Sequence, residues 1–389
     1  MEEKMQVPLF DLTRQYKKIK KDVLKNLDAV FTSGNVIMGS NVKMFEKEIA
    51  NYLGVKYAIS VANGSDALRL SVQALDITKG DYVITTPYTF FATASAVVLN
   101  QATPIFVDIE EDFYNIDLDQ VEKVLQTHPM KKMIKGIIPV HLFGKTVDLE
   151  RLEKIKNNYK IAVIEYCAQS IGSVWYYSNG KKKCSGTVGD LNTFSFFPTK
   201  NLGGYGDGGL VVTNDEKLAD RVRKLRVHGA AKKYYHDEVV YNSRLDEVQA
   251  AILRIKLKNL DYYIERRIKK AQYYSKFFEE KGLDRYIAYP KYFNNRVHVY
   301  HQYVISVKNK EERDNLKKFL KENGIETGIY YPLGLHLQKC FENLGHKEGD
   351  FPITEKATRT TLALPMFPEL TKYEQEYVVN KIKEFYTSL

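Results

Sequence analysis

The sequence predicts an α/β protein whose larger part is built on a mostly parallel sheet. From residue 56, short apolar segments alternate with segments of helical periodicity, beginning with KYAISV, GSDALRLSVQAL, DYVITTP and TFFATASAVVLN. Strands and helices that alternate in this way are typical of βαβ units. The apolar segments lack a strict alternation of polar and apolar residues, which indicates that helices cover both faces of the sheet.

The same order continues along the chain to about residue 226. Further strands are predicted in TPIFVDI, IKGIIPVH, IAVIEYCA and GGLVVTND, and further helices in DLDQVEKVL, DLERLEKIKNNY and KLADRVRKLR. An apolar β-type run over residues 194–197 ends at Pro198, because proline cannot donate to a sheet ladder. Ahead of this region, residues 12–53 are predicted to be helical on either side of a turn at residues 33–35.

The sequence pattern changes after Arg244. Residues 245–281 form one long helical pattern that allows a bend and that would join two domains. Residues 285–389 mix helical segments with strands predicted in HQYVISV and GIETGIYYP, which indicates a smaller C-terminal α/β domain. The expected domains are therefore residues 1–250 and residues 251–389, a division that suits a chain of 389 residues.

The composition predicts a cytoplasmic protein that does not enter a membrane. A hydrophobic content of 44% and a charged content of 27% are ordinary for a globular protein. The longest apolar runs fall short of the roughly 20 residues that span a bilayer, and the acidic N-terminus lacks the apolar core of a signal peptide. The three cysteines show neither a CxxC pair nor the spacing of metal ligands, so no metal is predicted.

The net charge of +10 has three interpretations: nucleic-acid binding, attraction of a phosphate-rich small substrate, or solubility alone. The lysines are scattered through predicted helices and do not form blocks. This distribution favours the small anionic substrate over a nucleic acid.

One lysine, Lys200, follows the apolar run and Pro198 directly. The five glycines at positions 203, 204, 206, 208 and 209 come next, and such a density lets a backbone turn tightly or approach a ligand closely. A lysine at a strand end among glycines suggests an amine held against a flat, anionic ligand. A solvated surface lysine is the ordinary alternative, since lysine side chains are mostly exposed.

Three other stretches place polar or aromatic residues at the ends of predicted strands. Residues 63–65, Asn-Gly-Ser, open a helix whose first amides favour a phosphate, with an ordinary N-cap as the equal alternative. Phe90 opens the next helix and either stacks on a planar ring or belongs to the core. Glu165 and Tyr166 end a buried strand and are expected to face opposite sides of the sheet. The chain contains no GxxxxGK[ST] P-loop and no GxGxxG after the first strand.

The motifs GSDAL, TFFAT, E-x-x-A-Q, SFFPTKNLGGYGDGG and NSRLDEVQAAIL occur in this order along the chain. Together they resemble the DegT/StrS family of sugar-nucleotide aminotransferases, over a stretch that runs from VPLFDL to LPMFPELT. The resemblance implies an enzyme that depends on pyridoxal 5′-phosphate (PLP) and has the aspartate-aminotransferase-like fold (fold type I). The FPTKNL segment looks most like members that aminate carbon 3 of dTDP-3-keto-6-deoxyhexoses.

Carried over by position, the resemblance implies that Lys200 is the catalytic lysine, which binds PLP covalently and moves a proton during the reaction. Phe90 would stack on the pyridine ring, and Gln169 would bond the phenolic oxygen. A lysine amine must be neutral to attack a carbonyl, and burial in a crevice would lower its pKa from about 10.4.

The implied phosphate contacts are Gly64, Ser65 and Ser195. Asn242 in the NSRLD segment resembles the residue that reaches the cofactor phosphate of a neighbouring subunit, which implies a homodimer with shared sites. His301, Tyr331 and His336 match positions on the substrate side. The implied reaction moves an amino group from an amino acid, glutamate being expected, to a nucleotide-linked keto-sugar in deoxyamino-sugar biosynthesis.

The chain departs from the family at Tyr166, where the family has an aspartate that pairs with the protonated pyridine nitrogen. The hydroxyl of Tyr166 can still bind the cofactor by a hydrogen bond to that nitrogen, but it carries no charge near neutral pH, and Glu165 should not substitute because it faces the other way. The chain is therefore a slowed enzyme, an altered enzyme, or a non-catalytic protein that binds PLP or a nucleotide-sugar. A PLP-dependent sugar dehydratase is disfavoured, because such members of the family usually lack the lysine that stands here at position 200.

Overall fold

The computed structural model describes residues 5–112 and 114–388. The α-helices are α1 Leu12–Ser33, α2 Ser40–Leu53, α3 Gly64–Ala74, α4 Ala92–Leu99, α5 Leu118–Thr127, α6 Leu149–Tyr159, α7 Glu216–Leu225, α8 Glu247–Leu257, α9 Leu260–Glu280, α10 Lys310–Glu322, α11 Pro352–Thr360 and α12 Lys372–Thr387. Short 3₁₀ helices span Lys131–Met133, Leu142–Gly144, Leu335–Leu337 and Lys339–Leu344.

The strands are β1 Tyr57–Val61, β2 Tyr82–Thr85, β3 Thr103–Phe106, β4 Ile134–Ile137, β5 Ala162–Tyr166, β6 Val174–Tyr176, β7 Lys182–Cys184, β8 Leu191–Ser195, β9 Gly209–Thr213, β10 Ala230–Lys232, β11 Tyr235–His236, β12 Arg296–Val297, β13 Tyr303–Ser306 and β14 Thr361–Leu364. Among the described helices, none combines the length and the apolar character needed to cross a membrane.

The central sheet confirms the predicted α/β class. Seven strands lie in the order β1-β9-β8-β5-β4-β2-β3, and the pairs from β8 to β3 are all parallel. Only β9 runs against its neighbours β1 and β8. Since the other strands share one direction, their carboxyl ends meet at one edge of the sheet, where α/β proteins bind ligands.

Aspartate and asparagine side chains start several of the crossover helices in the predicted places. The carboxylates of Asp117, Asp148 and Asp215 accept hydrogen bonds from amides in the first turns of α5, α6 and α7. Such caps satisfy amides that have no partner within the helix. They explain why the helices begin one residue after each aspartate.

Two predictions about the C-terminal half need correction. The segment GIETGIYYP is not a strand: it makes single bridges from Ile325 to Val7 and from Gly328 to Ala363, while β13 pairs with β14. The long helical pattern is two helices, α8 and α9, which are separated at residues 258–259.

A separate apolar cluster lies beneath the C-terminal sheet. It joins residues of α9, α10 and α12 with β13 and β14, and it also includes Val7 from the N-terminus. Ile264 of α9 packs in the cluster under the central sheet, so α9 reaches both cores. The division into residues 1–250 and 251–389 stays a proposal, with its boundary inside α8.

Candidate active site

Lys200 lies in the connection between the antiparallel strands β8 and β9. Ser195, the last residue of β8, pairs with Gly209, the first residue of β9. Beyond this pair, the amide of Phe196 donates to the carbonyl of Gly208 at 2.7 Å, and the amide of Lys200 donates to the carbonyl of Phe197 at 2.9 Å. The chain thus turns sharply at the sheet edge and holds the Lys200 backbone in that turn.

The side chain of Lys200 is partly buried. Burial alone lowers the pKa of its amine to about 8. Compared with the usual value of about 10.4, this raises the unprotonated fraction near neutral pH about two-hundredfold. An unprotonated amine is the form that attacks a carbonyl, so the lowered pKa favours the role predicted for Lys200, which stays a prediction.

The start of α3 packs tightly against the end of β8. A methyl group added at Gly64 would lie 2.7 Å from the Cβ of Ser195, and one at Gly209 would lie 2.2 Å from the carbonyl oxygen of Asn63. The Asn63 side chain caps the helix by accepting from the amide of Asp66 at 2.8 Å. The helix terminus, exposed Ser65 and the hydroxyl of Ser195 thereby come together, and this end of a helix attracts anions.

Aromatic and amide side chains line the next part of the sheet edge. The Gln169 side chain accepts from the amide of Phe143 at 2.6 Å and donates to the hydroxyl of Tyr331 at 3.3 Å. The ring of Phe90 is 47% exposed and lies 6.4 Å from that of Tyr331. Phe90 is therefore not a core residue, which leaves its face open to a planar ligand.

Tyr166 ends β5 on the face that carries this group. It is buried in one cluster with Ile164, Phe143 and Tyr88, and Tyr331 packs against the same cluster. Burial raises the pKa of the Tyr166 phenol, so the side chain is neutral at pH 7. The position at which the resembled family has an aspartate therefore supplies an uncharged hydroxyl in this chain.

Glu165 points to the opposite face, as predicted. Its carboxylate lies 2.8 Å from Nε2 of His141 and accepts hydrogen bonds from backbone amides in residues 186–189. Burial raises the pKa of this carboxyl, but the bonds from His141 and the amides outweigh burial and lower it. His141, Glu165 and Cys167 have the spacing of metal ligands. The hydrogen bonds of Glu165 instead indicate that it holds the 186–189 turn.

Asn242 lies on an extended segment that is bound to the start of α3. It forms a bridge with Val227, and its side chain is exposed. The adjacent Ser243 accepts from the amide of Ala62 at 3.2 Å, and its hydroxyl also bonds the carboxyl of Asp66. The side chain of Asn242 is therefore exposed on a segment that is fixed beside Gly64 at the start of α3.

His301 lies beside Lys200 in the interior. Burial lowers its pKa well below the usual value, and the positive charges of Lys200 and Arg267 act in the same direction. Arg267 donates to the carbonyl of His301 at 3.2 Å and so anchors its backbone. Among the described residues, Nδ1 of His301 has no hydrogen-bond partner. A cavity of about 80 Å³ between Thr199, His301 and Tyr330 opens next to it.

His336 does not lie among the side chains that surround Lys200. Its Nε2 lies 3.2 Å from the carboxylate of Glu355, and its ring packs edge-on against Phe351. It is 1% exposed. These contacts indicate a structural role behind the site, and they do not support the predicted contact with substrate.

Sequence reasoning missed the support that α8 gives to the Lys200 loop. Gln249 accepts from the amide of Tyr205 at 2.9 Å, and Lys256 donates to the carbonyl of Gly203 at 2.6 Å. A signal was present, since Gln249 belongs to the NSRLDEVQAAIL motif and Lys256 follows it by seven residues, on the same helix face.

The chain is similar to known proteins over nearly its whole length. The model of the DegT/DnrJ/EryC1/StrS aminotransferase family matches residues 17–383. A relative from Geobacillus stearothermophilus named "Pleiotropic regulatory protein" is 48% identical over 98% of this chain and 99% of its own length. The dTDP-3-amino-3,6-dideoxy-alpha-D-galactopyranose transaminase of Aneurinibacillus thermoaerophilus is 38% identical over 97% of this chain and 99% of its own.

Among solved structures, NtdA from Bacillus subtilis with bound cofactor PMP superposes with a TM-score of 0.87. It is 31% identical, and the match covers 98% of this chain and 86% of that one. The likeness extends over both cores of the molecule and includes the segment that carries Lys200.

Proposed function

Because the chain belongs to the DegT/DnrJ/EryC1/StrS aminotransferase family, we propose that it transfers an amino group from glutamate to a nucleotide-linked keto-sugar. The enzyme class is aminotransferase and the cofactor is pyridoxal 5′-phosphate. The observation that carries the proposal is Lys200, a partly buried amine with a pKa of about 8, in a turn at the sheet edge that follows Ser195, whose side chain packs against Gly64.

The residues present fit PLP. The start of α3 and the Ser195 hydroxyl would hold its phosphate, in a space so tight that only glycine is accommodated at position 64. The exposed face of Phe90 would lie against its ring, and Gln169 would bond its phenolic oxygen. When bound, PLP supplies an electron sink for the carbon that gives up its proton.

The protein's own contribution is proton transfer and orientation. Nζ of Lys200 can take a proton from one carbon and return it to another, because its pKa of about 8 lies near the working pH. Tyr331 is partly buried and accepts a hydrogen bond from Gln169, so it would orient the sugar, and the neutral imidazole of His301 would line the donor side. These substrate roles are proposals from position.

For the sugar we propose a dTDP-3-keto-6-deoxyhexose aminated at carbon 3. Two things support this choice: the FPTKNL segment around Lys200, and the relative from Aneurinibacillus thermoaerophilus, whose name specifies a dTDP-3-amino-3,6-dideoxy sugar. The net charge of +10 favours an anionic nucleotide-sugar. A cytoplasmic location also stays a proposal.

We further propose a homodimer in which Asn242 reaches the partner's cofactor phosphate. The exposed side chain of Asn242 and its rigid connection through Ser243 to the start of α3 support this role. A residue that acts within its own subunit would be expected to turn inward.

A second function is favoured by Tyr166: a protein that binds PLP or a nucleotide-sugar without turning it over. The relative from Geobacillus stearothermophilus, which is named a regulatory protein, is compatible with this alternative. The retention of a reactive Lys200 argues against it.

The test measures 2-oxoglutarate release from glutamate with the dTDP-linked 3-keto-6-deoxyhexose, with its 4-keto isomer, and with the UDP-linked counterpart. Turnover with the dTDP-linked 3-keto sugar alone supports the whole proposal. Turnover with another of the sugars would support the proposed reaction and contradict the proposed substrate. Binding without 2-oxoglutarate release establishes the alternative.

A further inference from the structure

We propose that Lys256 and Gln249 of α8 are positioning residues for Lys200, acting through the glycine-rich loop that follows it. This inference rests on the proposed role of Lys200 as the reactive amine. Neither residue is expected to touch cofactor or substrate, because their hydrogen bonds are made to the backbone of residues 203–205.

The first step is the path of the loop. After Lys200 the chain folds back over residues 196–198, where the amide of Gly204 donates to the carbonyl of Phe196 at 2.7 Å. A methyl group at Gly203 would lie 2.3 Å from the carbonyl oxygen of Pro198. Lys200 donates to the carbonyl of Phe197 in the same turn. The position of the Lys200 backbone therefore depends on the loop being pressed against this turn.

The second step is the set of contacts that α8 makes with the outer side of the loop. Gln249 accepts from the amide of Tyr205, and methyl groups added at Gly204 or Gly206 would come within 2.8 Å of its side-chain amide. Lys256 donates to the carbonyl of Gly203 at 2.6 Å. Both contacts come from one face of a rigid helix, so two points of the loop are fixed to a common support.

The third step is the environment of Lys256. The side chain is 2% exposed, and its Nζ lies 4.8 Å from the ring centre of Tyr205, as in a cation–π contact. Burying an ammonium group is costly unless it is bonded. An apolar residue would fill the same space at lower cost. The buried amine therefore indicates that its bond to the carbonyl of Gly203 serves to hold the loop in place.

The consequence of removing Lys256 follows from these contacts. In Lys256→Met the carbonyl of Gly203 loses its donor, and the loop can lift from residues 196–198. The amine of Lys200, which is partly buried in the parent chain, then becomes more exposed to water. Because burial is the cause of the lowered Lys200 pKa, that pKa should rise from about 8 toward the usual value.

The experiment measures the reactivity of Lys200 in the intact chain before cofactor is added. The protein is labelled with acetic anhydride across pH 6–11, and the peptide containing Lys200 is quantified by mass spectrometry. We expect the midpoint in Lys256→Met to rise by about one unit or more, and kcat of the holoenzyme to fall about tenfold with little change in KM. Lys256→Arg keeps a donor for the carbonyl of Gly203, so its labelling midpoint and kcat should lie between those of Lys256→Met and those of the parent chain.

Lys270→Met is the matched control. Lys270 is also a largely buried lysine beside a tyrosine ring, but it lies on α9, away from the loop. It should lose stability and leave the Lys200 midpoint unchanged. If Lys256→Met fails to fold, Gln249→Met provides the same test through the amide of Tyr205.

Equal labelling midpoints in Lys256→Met, Gln249→Met and the parent chain would overturn the inference and leave α8 a merely structural helix. The labelling result does not depend on the sugar substrate. A failure of the proposed function, with no turnover in the parent chain, is therefore distinguishable from a failure of the positioning role.

Discussion

Replacing Tyr166 by aspartate should raise the rate of the half-reaction with glutamate. Tyr166 ends β5 on the face shared with Tyr331 and Phe143. In the proposed assignment, its position in the E-x-x-A-Q motif would face the ring nitrogen of PLP, which the resembled family pairs with an aspartate. Its phenol is neutral because burial raises its pKa, so it cannot hold a proton on that nitrogen by charge.

The size of the gain follows from the bond that aspartate would make. A hydrogen bond to a charged group contributes about 1.5–3 kcal/mol, which corresponds to a rate increase of about tenfold to a hundredfold. The affinity for PLP should change less, since the phosphate cradle at Gly64 and Ser195 is separate from this position.

The substitution should also destabilise the chain before cofactor binds. Tyr166 is 6% exposed, and removing most of a buried aromatic ring costs about 2–4 kcal/mol through lost burial and a cavity. Tyr166→Asn removes nearly the same volume without adding a charge. It is therefore the matched control that separates the effect of the carboxylate from the effect of the smaller side chain.

The assay is a single-turnover measurement of the absorption change of the bound cofactor on addition of glutamate. Tyr166→Asp should react at least tenfold faster than both the parent chain and Tyr166→Asn. Equal or faster conversion by the parent chain would refute the reasoning. It would mean that residue 166 does not face the ring nitrogen, or that this site works without a protonated ring.

Three further outcomes are expected. Borohydride treatment of the holoenzyme should attach the cofactor permanently to the peptide that contains Lys200, as read by mass spectrometry, and attachment at another lysine would contradict the assignment. Mixed dimers of Lys200→Ala and Asn242→Ala chains should recover part of the activity that each variant lacks, whereas an active monomer in solution would exclude shared sites. Glu165→Gln should lower the free energy of unfolding by about 3 kcal/mol at pH 7, because a buried acceptor of several hydrogen bonds loses its charge. The pKa of Glu165 is lowered in the folded state, so its stabilisation is present above about pH 4.3 and is lost as the pH falls below it. Denaturant titrations at pH 7 and pH 3.5 should show that the difference in unfolding free energy between parent and variant shrinks at the lower pH. A constant difference would count against this role.

The central sheet could be predicted because its signal is local. Each strand is a short apolar run between helices, and caps such as Asp148 mark where a helix begins. The segment GIETGIYYP carries the same β-type residues but forms only single bridges, to Val7 and to Ala363. Those partners come from the N-terminus and from β14, so the outcome depends on distant parts of the chain, which local patterns do not report.

The same distinction applies to the site. The contacts around Gly64, Gln169 and Lys200 belong to motifs at strand ends, and their convergence follows from the parallel order of the strands. The bond from Lys256 to Gly203 joins residues 53 positions apart on a helix and a loop. A buried lysine among apolar helical residues looks like an ordinary surface position until the packing of the helix is known.

Burial shifts the titratable groups of the site toward their uncharged forms. Burial is the first cause of the shift in each of four cases: it lowers the pKa of Lys200 and of His301, and it raises the pKa of Tyr166 and of Tyr331. Lys200, with a pKa of about 8, still carries a positive charge in most molecules at pH 7, and negative charge would enter this group of side chains with the ligands, through a phosphate at the start of α3 or a donor carboxylate. In a medium of low polarity such charges interact strongly with the helix terminus and with one another. A carboxylate at position 166 would add a fixed negative charge to this environment, and in its absence bound ligands supply the negative charge beside Lys200.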